Sequence, residues 1–191
     1  MSRFAAKVAA ACSLLAAGLV LGGPALAAQL VPAESRIGFV SRQMGVPVEG
    51  SFRRFDADID FDPAKPGKGH FAIRVDTSSV DLPTRDAIEE VAKPGWFDAA
   101  RFPRATFEST AVRAAGTDRY EVDGTLTVRG QARPVVVPVQ LTRSPGRAVA
   151  EGEFTVRRLA FSIGAGEWAD TSLVADEVLV RFRLVLSGKP F

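Results

Sequence analysis

Apolar and polar residues alternate through most of the chain, with the period of two that is typical of half-buried β-strands. The phase of this alternation changes between Phe52 and Phe55, so we expect a bulge or bend at that point. The pattern predicts about eight strands joined by short turns. The strand-like segments are residues 36–39, then 46–52 and 55–61 on either side of this bend, and 71–75, 106–112, 120–128, 134–141, 150–156 and 178–186.

Residues 78–101 interrupt the strand pattern. Within them, Pro83 stands where a proline opens a helix, and Ile88 and Val91 lie three positions apart, on one helical face. A Pro-Gly pair then ends the helical pattern. We therefore expect one short helix, over residues 81–91, inserted between strands.

The predicted strands form a series that leaves two sheet edges to protect, and closing the sheet into a barrel removes both edges. Eight strands enclose an interior that side chains can fill or that can hold one small ligand. The sequence has no repeat, linker or low-complexity segment, so residues 28–191 are expected to form a single all-β domain. Alternation alone does not distinguish an antiparallel barrel with a helical insertion from a two-sheet sandwich.

Residues 1–27 have the features of an export signal. Arg3 and Lys7 precede an apolar run over residues 8–21, and a small-x-small pattern, which signal peptidase reads, ends the segment at Ala27. We therefore expect an exported protein from which these residues are removed.

Removing the signal changes the charge of the chain. Two of the 24 basic residues lie in it, which leaves 22 basic and 22 acidic residues and no footprint for nucleic-acid binding. The only cysteine, Cys12, is removed as well, so the exported domain is expected to depend on its hydrophobic core and not on disulfides. No later segment reaches about 18 consecutive apolar residues, so the mature chain is expected not to span a membrane.

The sequence contains few candidates for catalytic or metal-binding residues. His70 is the only histidine and stands on the polar face of a predicted strand. Without a second histidine or a mature cysteine, a zinc site would need carboxylates alone. The sequence also has no nucleophile elbow and no glycine-rich phosphate loop. Asp56, Asp58 and Asp60 alternate on one strand face, which is interpreted as a solvated exterior. We expect no enzyme activity, no metal and no cofactor.

The remaining feature of the sequence is its content of large aromatic residues. Twelve of the 13 phenylalanines and both tryptophans lie after residue 27, and the segment WFDAARFPRATFES alone holds four of these aromatic residues. Its first two, Trp96 and Phe97, belong to the helical insertion, where they either plug the barrel or border its mouth. The composition permits a ligand pocket and equally permits a packed core.

Seven segments occur in one order along the chain: SRIGFVSRQMG, GSFRRFDADIDFDP, VDTSSVDLPTRD, WFDAARFPRATFES, YEVDGTLTVRGQARPVVVPV, FTVRRLAFSIG and DEVLVRFRLVL. Together they extend over about residues 29–187. In this order they resemble the YceI-like family of bacterial periplasmic, polyisoprenoid-binding proteins. The blocks FDAARFPRATFES and GTLTVRG are the most diagnostic of them.

This resemblance implies an extended eight-stranded antiparallel barrel, similar to lipocalins, with a short helical insertion and a long apolar channel. Members of the family are taken to bind isoprenoid chains or other amphiphilic lipids, often as homodimers, without established catalysis. One departure is visible where the family usually has Asp-Phe-Gly after a strand arginine. This chain keeps Phe161 but has Ser162 in place of the glycine. We expect this to affect the shape of the bend and not the fold.

The leading hypothesis is a periplasmic protein that binds, transports or stores a polyisoprenoid or another fatty-acid-like amphiphile in an apolar barrel channel. One alternative is a lipocalin-like barrel enzyme on an apolar substrate, which requires a titratable residue buried in the cavity. Another is a ligand-free stress or interaction module, which requires a packed interior. Inward phase, or position in the helical insertion, selects eight candidate channel-wall residues: Phe39, Met44, Trp96, Phe97, Phe107, Leu126, Phe154 and Phe161.

Overall fold

The computed structural model describes residues 28–188, and the predicted export signal, residues 1–27, lies outside them. The described residues form eleven strands and one α-helix, α1 (Arg85–Val91). The strands are β1 (Gln29–Leu30), β2 (Arg36–Gln43), β3 (Val46–Phe52), β4 (Phe55–Asp60), β5 (His70–Asp76), β6 (Val80–Asp81), β7 (Arg104–Gly116), β8 (Arg119–Val128), β9 (Gln131–Ser144), β10 (Arg147–Arg157) and β11 (Glu177–Ser187).

All strand pairs are antiparallel and belong to one sheet with the order β4-β5-β7-β8-β9-β10-β11-β2-β3-β6. The sheet curls round on itself, because β3 and β4 lie towards its two ends and yet follow one another directly in the chain. On one side of the barrel, β1 pairs with β11 while Ala28 bridges to Ile59 of β4. With β3 and β4 counted as one bent strand, the wall has the eight long strands that the sequence predicts. The fold is therefore an antiparallel, lipocalin-like barrel with a short helical insertion.

The predicted bend falls at Arg53 and Arg54, between β3 and β4. Backbone hydrogen bonds fix it: the Arg53 N–H donates to the Ser79 carbonyl and the Asp76 N–H donates to the Arg54 carbonyl, each at 3.0 Å. The Arg54 Nε–H also donates to the Asp76 carboxylate at 2.9 Å. The pKa of Asp76 lies below its ordinary value, first because the Ser78 hydroxyl donates to the carboxylate and, to a smaller extent, because Arg54 does.

The end of the barrel near β1, which we call the lower end, is a packed core. Phe61 is 4% exposed, and its ring centroid lies 5.0 Å from that of Tyr120 and 5.3 Å from that of Phe71. Ile59 and Leu186 are each 1% exposed beside them. Aromatic pairs at such separations attract each other beyond their simple burial. Side chains therefore fill the lumen at this end.

The opposite end, which we call the upper end, carries α1 and the loop before β11. The helix begins at Arg85, later than the predicted residue 81, because the Thr84 hydroxyl caps it by accepting the Ala87 N–H at 3.2 Å. Two 3-10 segments, Arg158–Phe161 and Gly166–Trp168, lie at the same end. These irregular elements cover the barrel where the strands stop.

Candidate functional site

A cavity of about 250 Å³ runs along the inside of the barrel between the packed lower end and the upper end. Its wall extends along β10 from Ala150 to Val156 and along β11 from Val178 to Leu184. At about 3.3 Å per residue, each of these stretches is about 20 Å long. The volume is just below the roughly 300–1,000 Å³ that is typical of small-molecule pockets. A cavity so long and so narrow fits one extended chain better than a compact, bulky ligand.

The wall of the cavity is almost wholly apolar. Ser41, Thr106 and Arg158 are the only polar residues that line it within residues 28–188. An aliphatic tail makes no hydrogen bonds, so such a wall stabilises it by removing apolar surface from water. A polar group of a ligand would lose its hydrogen bonds to water there without gaining partners. The wall therefore favours apolar chains over polar ligands.

Seven of the eight predicted wall residues line the cavity: Phe39, Trp96, Phe97, Phe107, Leu126, Phe154 and Phe161. All of them except Trp96 and Phe161 are only half-buried although they face inward, because the hollow leaves part of each side chain uncovered. Their role in binding a ligand stays a prediction.

Met44 does not line the cavity, which corrects its selection as a wall residue. It stands in the two-residue turn between β2 and β3 and is 76% exposed. Met44 and Gly45 have positive φ angles of 49° and 82°, as in a type I′ hairpin turn. A residue in such a turn does not follow the alternation of the strands, and the Met44 side chain lies in solvent.

Trp96 and Phe97 occupy different places at the upper end. Trp96 is 8% exposed, its ring centroid lies 5.7 Å from that of Trp168, and the Arg158 guanidinium lies 6.0 Å from the Trp96 ring centroid. Phe97 instead meets Phe52 edge-on, with 5.8 Å between ring centroids. Trp96 therefore packs with Trp168 and Arg158 at the upper end, whereas Phe97 continues the aromatic wall.

Arg158 holds the upper end together around a buried charge. It is 2% exposed, and its five N–H groups donate to five backbone carbonyls at 2.7–3.0 Å. Burial lowers the pKa of Arg158, and the nearby charge of Asp176 opposes that effect. Because all five donors are used, the side chain has none left for a ligand. The five carbonyls belong to Ile163, Gly164, Trp168, Val174 and Ala175.

The departure from the family pattern falls directly after the 3-10 segment that contains Arg158. Ser162 has φ 57° and ψ 27°, in the left-handed region. Glycine adopts this conformation without a steric penalty, whereas another residue type pays about 1–2 kcal/mol for it. The bend therefore has a conformation that suits a glycine, and Ser162 adopts it in this chain.

The histidine and the carboxylates that the sequence singles out lie on the outer surface. His70 Nε2 is 3.2 Å from a Glu108 carboxylate oxygen, and Arg74 donates to Asp56 at 2.9 Å. The hydrogen bond and the charge of Asp56 raise the pKa of Arg74. Across residues 28–188, no three His, Cys, Asp or Glu side chains are grouped so that they could hold a metal ion. The same residues include no helix with the length and apolarity needed to cross a membrane.

The sequence reasoning missed part of the wall. Phe52, Phe71 and Phe182 also line the cavity, and the inward phase of each in its strand was the signal that could have found them. Inward-phase glycines gave no signal at all, because they contribute no apolar side chain. Three such glycines stand at inward positions of the strands, each beneath a ring of the cavity wall: Gly50, Gly124 and Gly152.

An antiparallel barrel around one long apolar cavity defines a class of ligand-binding barrels that includes the lipocalins. The family model described as the YceI-like domain matches residues 29–186. The chain therefore belongs to the YceI-like family, which confirms the resemblance seen in the sequence. A UPF0312 protein of Azotobacter vinelandii is 32% identical over 136 residues, which are 69% of this chain and 71% of that protein.

Two solved structures have the same fold. BcnA of Burkholderia cenocepacia is 43% identical, with a TM-score of 0.80 over 82% of this chain and 99% of that one. A domain from Saccharophagus degradans, described as a polyisoprenoid binding domain implicated in plant cell wall breakdown, is 20% identical. Its TM-score is 0.69 over 85% of this chain and 98% of that one. At that identity the second comparison shows a shared fold and no more.

Proposed function

We propose that this protein binds the apolar tail of a polyisoprenoid or another long-chain amphiphile in its barrel cavity and carries or stores that molecule in the periplasm. The observation that carries the proposal is the long, narrow cavity with an almost wholly apolar wall. The family, the polyisoprenoid-binding relative in fold and the signal-like residues 1–27 support it.

The energetics favour a long tail over a short one. Each buried methylene contributes about 0.8 kcal/mol, whereas association costs about 4–15 kcal/mol. A tail of fewer than about five carbons would therefore not bind measurably. Affinity should rise with chain length until the tail fills the cavity, and then stop rising.

The wall also favours binding over catalysis. Arg158 is the only charged residue that lines the cavity among residues 28–188, and all five of its N–H groups are bound to carbonyls. A barrel enzyme needs a titratable group that can reach the reacting atoms of its substrate. The cavity itself argues against a ligand-free module, since that alternative requires a packed interior.

Chain length provides the direct test. Dansyl-undecanoic acid would serve as a fluorescent probe, and saturated fatty acids from hexanoate to hexadecanoate would compete with it for the purified protein. We expect affinity to increase by up to about fourfold per added methylene and then to reach a plateau. An affinity that does not depend on chain length, or a protein that binds none of these molecules, would contradict the proposal.

A charge placed in the wall tests the site itself. Phe107→Arg would put a guanidinium into the apolar cavity and should abolish probe binding. Val136→Arg is the matched control, because Val136 lies on the outer side of β9 and is 51% exposed. Phe107→Trp covers the case in which the arginine variant does not fold, since the larger ring should fill the cavity and weaken binding without a charge. Equal binding by the folded Phe107 and Val136 variants would place the ligand elsewhere.

A further inference from the structure

Three phenylalanine rings of the cavity wall occupy space that a side chain on the neighbouring strand would need. In each case the neighbour is a glycine in the inward phase of its strand. Two of these pairs face each other directly in the strand register, and the third pair is diagonal. The pairs are Phe39 with Gly50, Phe182 with Gly152 and, on the diagonal, Phe107 with Gly124.

The contacts are too close for any side chain. A β-carbon added to Gly50 would lie 2.3 Å from Cζ of Phe39. The corresponding distance to the ring of Phe107 from Gly124 is 2.5 Å. From Gly152 to the ring of Phe182 it is 2.6 Å. Real β-carbons essentially never approach another heavy atom within 3.0 Å. The three rings therefore lie where they do only because glycine stands beside each of them.

Glycine in the interior of a strand has a cost, because the chain loses more conformational freedom there and packs no side chain. An aromatic ring that covers the glycine from the adjacent strand offsets that cost. The same arrangement keeps the ring against the wall, because the ring takes up the space that a side chain at the glycine position would fill. The lumen beside it stays free. Three such pairs at inward positions of one barrel would together keep its interior hollow.

We propose that Gly50, Gly124 and Gly152 set the width of the cavity and thereby the cross-section of the chain that it accepts. This inference rests on the proposed function and adds a determinant of specificity to it. A tail with methyl branches, such as an isoprenoid, needs more width than a linear tail of equal length. The glycines therefore matter most for branched tails.

Gly50 allows the cleanest test of the three. The three heavy atoms nearest to a β-carbon there are all ring atoms of Phe39, and a ring can turn away into the lumen. At Gly124 the added carbon would also lie 2.6 Å from the Glu108 carbonyl oxygen, and at Gly152 it would lie 2.1 Å from a carbonyl oxygen on β9. Backbone atoms cannot move aside in that way. Gly50→Ala should therefore push the Phe39 ring into the cavity and leave the strands in place.

The experiment compares the unsubstituted protein with Gly50→Ala, with the double variant Gly50→Ala/Phe39→Leu, and with Gly67→Ala. Gly67 is the matched control, because a β-carbon there would meet nothing within 4 Å. Binding of dansyl-undecanoic acid is measured directly, and geranylgeraniol and hexadecanol are measured by displacement of that probe. Thermal unfolding and a crystal structure of Gly50→Ala accompany the binding data.

We expect Gly50→Ala to weaken geranylgeraniol binding by about tenfold or more, to weaken hexadecanol binding less, and not to lower the unfolding temperature. Phe39→Leu in the same chain should restore binding to within about threefold. Gly67→Ala should bind as the unsubstituted protein does. The crystal structure should show the Phe39 ring in the lumen and a smaller cavity.

The proposed function and the width inference fail in different ways. If the unsubstituted protein binds no probe, the proposed function is wrong, and the crystal structure still decides whether Gly50 sets the cavity width. If Gly50→Ala binds normally, or if its Phe39 ring stays against the wall, the width inference is wrong. It is also wrong if binding is lost together with stability and Phe39→Leu does not restore it.

Discussion

The lower and upper parts of this barrel are built from the same inward pattern of apolar residues, yet one part is packed and the other is hollow. In the lower part, Phe61 projects into the lumen and meets Tyr120 at 5.0 Å between ring centroids. In the upper part, Phe39 covers Gly50 on the adjacent strand. The difference teaches that an inward phenylalanine borders the cavity where its ring lies over a glycine of the adjacent strand, and makes a core where it meets other rings. Phe61 is in the second group although Gly69, which lies outside the strands, is also beside it. Aromatic content alone does not decide between the two.

The largest expected effect is a difference in stability between two variants. One lacks an aromatic ring of the packed part, and the other lacks an aromatic ring of the hollow part. Phe61→Ala should lower the free energy of unfolding by about 3–5 kcal/mol, because it leaves a void in a close-packed region. Phe154→Ala should cost roughly half as much, because its ring already borders the cavity and is half-buried. Urea denaturation at neutral pH, with both variants measured beside the unsubstituted protein, provides the comparison. Equal losses of stability would mean that the upper part is as tightly packed in solution as the lower part.

A smaller difference in stability is expected between variants of two glycines in the hollow part. Gly152→Ala should lower the free energy of unfolding by about 1–3 kcal/mol, because its β-carbon would lie 2.1 Å from the Pro138 carbonyl oxygen. Gly50→Ala should not be destabilising, because the atoms nearest to its β-carbon belong to the Phe39 ring, which can move. Urea denaturation of both variants tests this, with Gly67→Ala as the variant that changes a glycine in open space. If Gly50→Ala is as unstable as Gly152→Ala, Phe39 cannot turn into the lumen and the distinction fails.

The sequence allowed the strands to be predicted because alternation is a local property of the chain. The change of phase between Phe52 and Phe55 located the bend for the same reason. The misplacement of Met44 shows the limit of that reasoning, since a two-residue turn interrupts the alternation on which its selection depended.

The hollow itself could not be predicted from the sequence. Whether Phe182 fills the lumen depends on Gly152, which lies 30 positions away in the chain and becomes its neighbour only through strand register. The role of Arg158 is equally non-local, because it depends on carbonyls of the loop before β11, and any residue type can supply a carbonyl. The inward aromatic residues could be chosen from the phase of the alternation. The space between them could be predicted only with knowledge of which residues the strand register makes neighbours.

The smallest effect concerns the bend at Arg53 and Arg54, between β3 and β4. The Asp76 carboxylate accepts hydrogen bonds from the Ser78 hydroxyl at 2.6 Å and from Arg54 at 2.9 Å, and its pKa lies below the ordinary value. A carboxyl group whose pKa is lower in the folded state stabilises the fold above the unfolded-state pKa, about 3.9 for aspartate, and loses that contribution as the pH falls through the folded-state pKa. The effect is small because a third of the Asp76 side chain is exposed.

Asp76→Asn removes this titration and should therefore lower the urea midpoint modestly at pH 7 and by less at pH 3. Ser78→Ala keeps the carboxylate but removes its strongest hydrogen-bond donor, so it should reproduce part of the same pH dependence. The measurement is the gap in urea midpoint between each variant and the unsubstituted protein at the two pH values. A gap that stays constant from pH 7 to pH 3 would show that ionisation of Asp76 does not stabilise the fold. The bend would then not respond to acid.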